Sequence, residues 1–237
     1  MSKLIYGRNS VLSSLGENRV EKIFLDNDFD NHDILKIITR KKIAIERVNR
    51  EKLEQLSNHG IHQGIAALVL DFRYYSLDEI LESCRYKKYP LIVILDELKD
   101  PHNLGAIIRT CDAFDVDGII IKKYEQVPLN ATVAKVSTGA IDFVKVAVVS
   151  NLSNVLNKLK EAGFWIIASD GQGDASYRDI DYLRSIALIL GSEGKGVSRL
   201  LLERSDYVVK VPMLGHVNSL NVSVAAGILL SEIVAKR

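Results

Sequence analysis

The chain has 237 residues, 47% of them hydrophobic and 26% charged, with a formal net charge of +1, which fits one large soluble domain or two modest ones. No apolar run reaches the ~18–20 residues that span a bilayer, and no hydrophobic core follows Met1–Gly7 as a signal peptide requires. Two cysteines, Cys84 and Cys111, are too few for a disulfide framework or a zinc site and suit the reducing cytoplasm.

In chain order, an apolar helical pattern around Val11–Leu15 precedes a strand at Val20–Leu25. A helix over Asp33–Lys41, a strand at Ile43–Val48, a short helix from Arg50 and a strand at Ile65–Leu70 follow. Strands alternating with helices predict a small α/β unit over residues 1–72. Residues 73–89 mix Tyr74, Tyr75, Tyr86 and Tyr89 with charges and read as a linker with a helical piece. From 90 to 237 the alternation resumes. Strands are expected at Leu91–Leu95, Gly118–Ile121, Phe143–Val149, Phe164–Ser169, Ile186–Leu190 and Tyr207–Val211. Their unbroken Ile, Val and Leu content suits a mostly parallel sheet buried on both faces. Helices are expected from Asn103, Asn130, Asn151, Ser198 and Asn221, the asparagines as N-caps. The fold class is α/β.

Three strand-to-helix loops stand out. The first is LDELKDPHNLGAIIRT (95–110), the second ILGSEGKGVS (189–198) and the third VPMLGHVNSLNVSVAAG (211–227). Each puts Gly, Asn or Ser beyond the end of an apolar strand, where ligands bind in open α/β sheets. The glycine run 191–196 is neither G-x-G-x-x-G nor a P-loop, which argues against a nicotinamide-dependent dehydrogenase. Glycines there let main-chain N–H and C=O groups approach a flat ligand closely. His59 and His62 have no further ligand pattern, so no metal is expected. His102 and His216 read as loop residues. Lys135, Ser137 and Thr138 either contact a ligand or end a helix. The clusters Arg40–Lys42 with Arg47, Arg50 and Lys52, then Arg85, Lys87 and Lys88, then Lys122 and Lys123, are solvated faces or RNA contacts in equal measure.

In order and content the three loops resemble the signature motifs of the SpoU (TrmH-type) RNA ribose 2′-O-methyltransferases. The segments YGRNSV (6–11) and HQGIAA (62–67) resemble the branch that modifies a guanosine of bacterial 23S rRNA. The resemblance implies a small N-terminal α/β/α RNA-binding domain and a SPOUT-type catalytic domain with a C-terminal trefoil knot. Periodicity alone predicts no knot, since unknotted connections are the rule. It also implies S-adenosylmethionine as cofactor, RNA as partner and a homodimer. Gly191, Val211, Met213, Ser219 and Leu220 would hold the cofactor, and Asn103, Arg109, Glu193, Ser219 and Asn221 would serve catalysis.

Read as single residues, Asn221 is also a helix cap, Glu193 a turn carboxylate and Arg109 an exposed helix arginine. The family credits an arginine at the Arg109 position as general base, whereas a guanidinium stays protonated in proteins. Arg109 therefore either takes the hydroxyl proton or holds a phosphate while that phosphate or water takes it. The expected activity is methylation of a ribose 2′-hydroxyl, on a guanosine of 23S rRNA. The same chemistry on tRNA, or a non-catalytic ribosome-assembly factor, are the rivals.

Overall fold

The computed structural model describes every residue except Met1, Glu17, Asn18 and Glu193. The chain divides into two compact units, Met1–Phe72 with Leu129–Thr132, and Arg73–Pro128 with Val133–Arg237.

The first unit runs β1 (Ser2–Tyr6), α1 (Arg8–Gly16), β2 (Val20–Asp26), α2 (His32–Lys41), β3 (Ala44–Val48), α3 (Arg50–Leu56) and β4 (Ile65–Leu70). Its sheet has the order β1-β4-β2-β3, with β2 and β3 parallel and β4 antiparallel to both β1 and β2. Alternate residues of the strands feed two cores. Ile23, Leu25, Ile65, Ala67 and Val69 pack with Val11, Leu15, Ile34 and Ile38 from α1 and α2. Phe24 and Ala66, pointing the other way, pack with Leu53 of α3. Asn31 and Asn49 cap α2 and α3 by accepting from Ile34 N and Lys52 N. Strand β1 was not expected from the sequence: its five residues are exposed or half-buried, so the period-2 signal is weak.

The second unit runs α4 (Leu77–Cys84), β5 (Leu91–Asp96), α5 (Pro101–Ala113), β6 (Gly118–Lys122), α6 (Ala131–Ser137), β7 (Val146–Val149), α7 (Leu152–Glu161), β8 (Trp165–Ser169), β9 (Ala175–Ser176), β10 (Ile186–Gly191), α8 (Arg199–Arg204), β11 (Tyr207–Lys210) and α9 (Val222–Ala235). All seven strands are parallel, in the order β7-β6-β5-β10-β8-β11-β9. Ile92, Ile94, Ile120, Ala187 and Ile189 meet α4, α7 and α8 on one face. On the other face α9 packs against β10 and α5, where Leu104, Ile108, Ala226, Leu229 and Ile233 are buried. The 73–89 stretch carries α4, whose Leu77, Ile80 and Cys84 belong to this core. Among the described residues no helix is long and apolar enough to cross a membrane.

Two expected boundaries shift. The strand expected from Phe143 begins at Val146, because Ala140–Asp142 forms a 3-10 turn that leaves Phe143 exposed. Helix α5 starts at Pro101 rather than Asn103. Its cap is Asp100, which accepts from His102 N, with proline at the first position where no N–H is needed.

Arg237 fastens the end of α9 to the base of this sheet. Its guanidinium donates to the carbonyls of Tyr89 at 2.7 Å, Arg184 at 3.1 Å and Tyr182 at 3.2 Å. Hydrogen bonds to a charged group contribute about 1.5–3 kcal/mol net, less where solvent reaches them. Arg237→Ala is expected to cost about 2 kcal/mol, read as a lower urea midpoint at unchanged m-value; an unmoved midpoint would contradict this role.

Candidate active site

The site is assembled at the carboxyl ends of β5, β8, β10 and β11. At the end of β5, buried Asp96 accepts from Ser198 N at 2.9 Å. That bond ties the first loop to the residue following the glycine run. The next residue, Glu97, has φ 60 and meets Lys122 at 3.0 Å and Lys195 at 3.5 Å. The hydrogen bond from Lys122 holds its carboxyl below the usual range. The 191–198 loop is thus tied to the end of β5 at Lys195 and at Ser198. Asp96→Ala removes the acceptor and leaves Ser198 N–H unsatisfied, at a cost of about 1–3 kcal/mol. The expected result is weaker cofactor binding together with a lower thermal midpoint; unchanged values of both would count against this anchoring.

The glycine loop doubles back on itself through Gly196 N to Ser192 O at 2.8 Å and Ser192 N to Gly196 O at 3.2 Å. The fold is so tight that a Cβ on Gly191 would lie 2.0 Å from Gly196 C and 2.2 Å from Val197 N. Gly196 turns at φ 68, where a side chain is strained. Glu193, expected at the catalytic centre, lies outside the described residues.

Asn103 and Asn221 meet directly. Asn221 Oδ1 accepts from Ser223 N at 2.9 Å and Ser223 Oγ at 2.6 Å as the cap of α9. Its Nδ2 donates to Oδ1 of buried Asn103 at 3.0 Å. With one oxygen spent on capping, only the amide NH2 remains to reach across, so the pair has one consistent amide orientation. The first and third loops are joined by this bond, and the start of α9 is held against α5.

A cavity of about 390 Å³ opens between the loops after β8, β10 and β11. Five residues expected to hold a cofactor, Gly191, Val211, Met213, Ser219 and Leu220, all line it. So do Asp170, Gly171 and Gln172 of the loop after β8, which sequence reasoning missed. Their signal was present as SDGQGD (169–174), another strand end running into glycines. Arg109 lies elsewhere: it is exposed on α5, one helical turn beyond Gly105, and does not line the cavity. Among the described residues its side chain makes no hydrogen bond or ion pair. His216 is exposed, His102 contacts its neighbour Asp100, and Ser137 donates to Ala134 O within α6.

Residues 90–231 match the SpoU rRNA Methylase family, and residues 4–75 match the family described as RNA 2′-O ribose methyltransferase substrate binding. The chain belongs to the SpoU rRNA methylase family. All three loops lie inside the first match. A Staphylococcus epidermidis protein, assigned by name to the TrmH family of tRNA/rRNA methyltransferases, is 43% identical over 99% of this chain and 96% of its own length. Among solved structures, the SpoU methyltransferase AviRb of Streptomyces viridochromogenes, in complex with AdoMet, superposes with a TM-score of 0.66. It covers 99% of this chain and 90% of that one at 22% identity, a likeness of fold. The TrmH/SpoU tRNA modifying enzyme of A. aeolicus is 33% identical over 68% of this chain and 82% of its own, with a TM-score of 0.59. As a SpoU/TrmH protein, the chain is an RNA methyltransferase.

Proposed function

We propose that this SpoU-family chain transfers a methyl group from S-adenosylmethionine to the ribose 2′-hydroxyl of a guanosine in 23S rRNA. The observation that carries the reading is the single cavity made by the loops after β8, β10 and β11. Its volume suits a small organic ligand. From Pro212 to Ser219 the main chain makes no backbone hydrogen bond among the described residues. That leaves N–H and C=O groups for the edge of an adenine, while the missing Cβ of Gly191 lets the Gly196–Val197 main chain close against it in the wall of the cavity. These residues fit the cofactor. When bound, S-adenosylmethionine supplies a sulfonium-activated methyl group.

The rest falls to the chain. Val211, Met213, Ser219 and Leu220 would line the bound cofactor, and the Asn221–Asn103 bond would keep the start of α9 against α5. Holding the hydroxyl in line with the methyl carbon supplies much of the acceleration. Arg109 keeps its proton and binds a phosphate of the RNA, whose oxygen or a water takes the hydroxyl proton. Glu193 is given an electrostatic role on the family motif alone.

Because Arg109 does not line the cavity of its own chain, the reading requires a second copy, with each Arg109 serving the partner's cavity. Exposed apolar side chains support such a homodimer: Leu214 is 101% exposed, Val217 66% and Val224 50%, all beside the cavity loop. The reading also threads the C-terminal end as a trefoil. What supports it is the route of the chain: β11 lies beyond β8, yet α9 returns to β10 and α5. Residues 211–220 therefore cross the carboxyl ends of β8 and β10, whose loops line the same cavity. An rRNA substrate puts the enzyme in the cytoplasm.

The test is transfer of label from S-adenosylmethionine into 23S rRNA, 16S rRNA and bulk tRNA from cells lacking the protein. Label confined to 23S rRNA is expected. Label in tRNA alone overturns the substrate, and RNA binding without any transfer favours the assembly factor.

A further inference from the structure

The first unit carries a feature that the reaction above does not use. Between α3 and β4 the chain takes positive φ at Asn58 (50), His59 (62), Gln63 (51) and Gly64 (78). Backbone held this way is over-determined by its surroundings and concentrates at ligand clamps. Here the surroundings are specific. Ser57 is buried and donates to Glu54 O and Gly60 O. His62 is buried, and its Nδ1 accepts from Gly64 N at 3.1 Å. Gln63 Oε1 accepts from Arg8 N at 2.9 Å. A Cβ on Gly60 would lie 2.6 Å from the ring of Tyr6. The two N-terminal motifs, 6–11 and 62–67, therefore brace one loop.

That loop walls a cavity of about 630 Å³, lined also by Asp26, Arg50 and Glu54. Ile61 at its rim is 85% exposed, an apolar side chain that the unit's own core does not claim. Arg50 and Glu54 lie 3.4 Å apart across one helical turn, so a guanidinium and a carboxylate share the lining. Two carboxylates, Asp26 and Glu54, make a poor phosphate site. They make a good one for a base with donors on its edge. Guanine presents N1–H and N2–H side by side, matching the two oxygens of one carboxylate. Uracil offers a single N–H between two carbonyls, which the carboxylates repel. Arg50 and Ile61 provide the planar and apolar contacts on which splayed RNA bases stack.

We propose that this cavity binds one unpaired guanine of the RNA, holding the substrate by its first unit while another nucleotide is methylated. The inference rests on the reading of the chain as an RNA ribose methyltransferase. The test uses the full chain and hairpin RNAs that differ only in a single bulged G, A, C or U, with affinity read by fluorescence anisotropy. The bulged G is expected to bind about tenfold more tightly than the bulged U. Glu54→Gln narrows that ratio and the double variant Glu54→Gln, Asp26→Asn removes it, with S-adenosylmethionine binding unchanged. Equal affinity for all four bulges, or a preference that survives the double variant, overturns the proposal. If methyl transfer to RNA persists meanwhile, only the guanine cavity falls; loss of both RNA binding and transfer by wild type overturns the parent reading as well.

Discussion

Arg109→Ala is expected to lower kcat for methyl transfer by about a thousandfold, within the range lost when a proton-transfer or phosphate-binding group is removed. That factor corresponds to about 4 kcal/mol of transition-state stabilisation. The helix should not notice the change, because the side chain is exposed and unbonded among the described residues. Affinity for S-adenosylmethionine should hold as well, since Arg109 lies outside the lining of the cavity. Arg109→Lys separates charge from geometry in the proposed phosphate contact. A lysine keeps the charge but cannot present a planar fork to a phosphate, so a partial loss points to charge and a full loss to bidentate geometry. Full activity in Arg109→Ala would remove the residue from the mechanism.

The second large effect is expected from Gly191→Ala. A methyl group there meets main-chain atoms 2.0–2.3 Å away, at Gly196 C, Val197 N and Gly196 O. No rotamer relieves a clash with backbone, so the loop from 192 to 197 must move. Forced movement in a packed region costs about 1–3 kcal/mol, and here it falls on one wall of the cavity. Affinity for S-adenosylmethionine should drop roughly tenfold to a hundredfold, measured by calorimetry, while RNA binding by the first unit is kept. Unchanged cofactor affinity would mean that this wall is not where the ligand lies.

Together the two variants test the shared site. Each alone is expected to be nearly inactive. Mixed and allowed to exchange subunits, the proposed dimer would include mixed pairs in which one cavity keeps both an intact glycine loop and the partner's intact arginine. Recovery of activity on mixing is the expected outcome; its absence would confine Arg109 to its own chain.

Much of the fold could be read from residue type. The strands of the second unit are continuous Ile, Val and Leu runs because both faces are buried, and Asn151 and Asn221 cap the helices they precede. Elements governed by short-range competition were harder. Asp100 with Pro101 was the stronger helix start than Asn103, since proline at the first position and an acidic cap reinforce each other. Strand β1 depends on pairing with β4 across the length of the unit, and no local pattern reports that. At the site, glycine, asparagine and serine beyond strand ends pointed to the loops, and the family resemblance pointed to Gly191, Val211, Met213, Ser219 and Leu220, which the fold gathers around one cavity. Asp170 to Gln172 escaped notice because their loop leads into no recognisable helix. The bond between Asn103 and Asn221 joins residues 118 positions apart, a distance that no periodicity spans.

On the proposed function the methyl group goes to a ribose oxygen and not to a base. The most direct measurement is mass analysis of nucleosides from 23S rRNA labelled by the purified protein with S-adenosylmethionine and digested to completion. The account predicts 2′-O-methylguanosine, from a linkage that resists alkali before digestion. A methyl group carried on the base, released from an alkali-sensitive linkage, would contradict it.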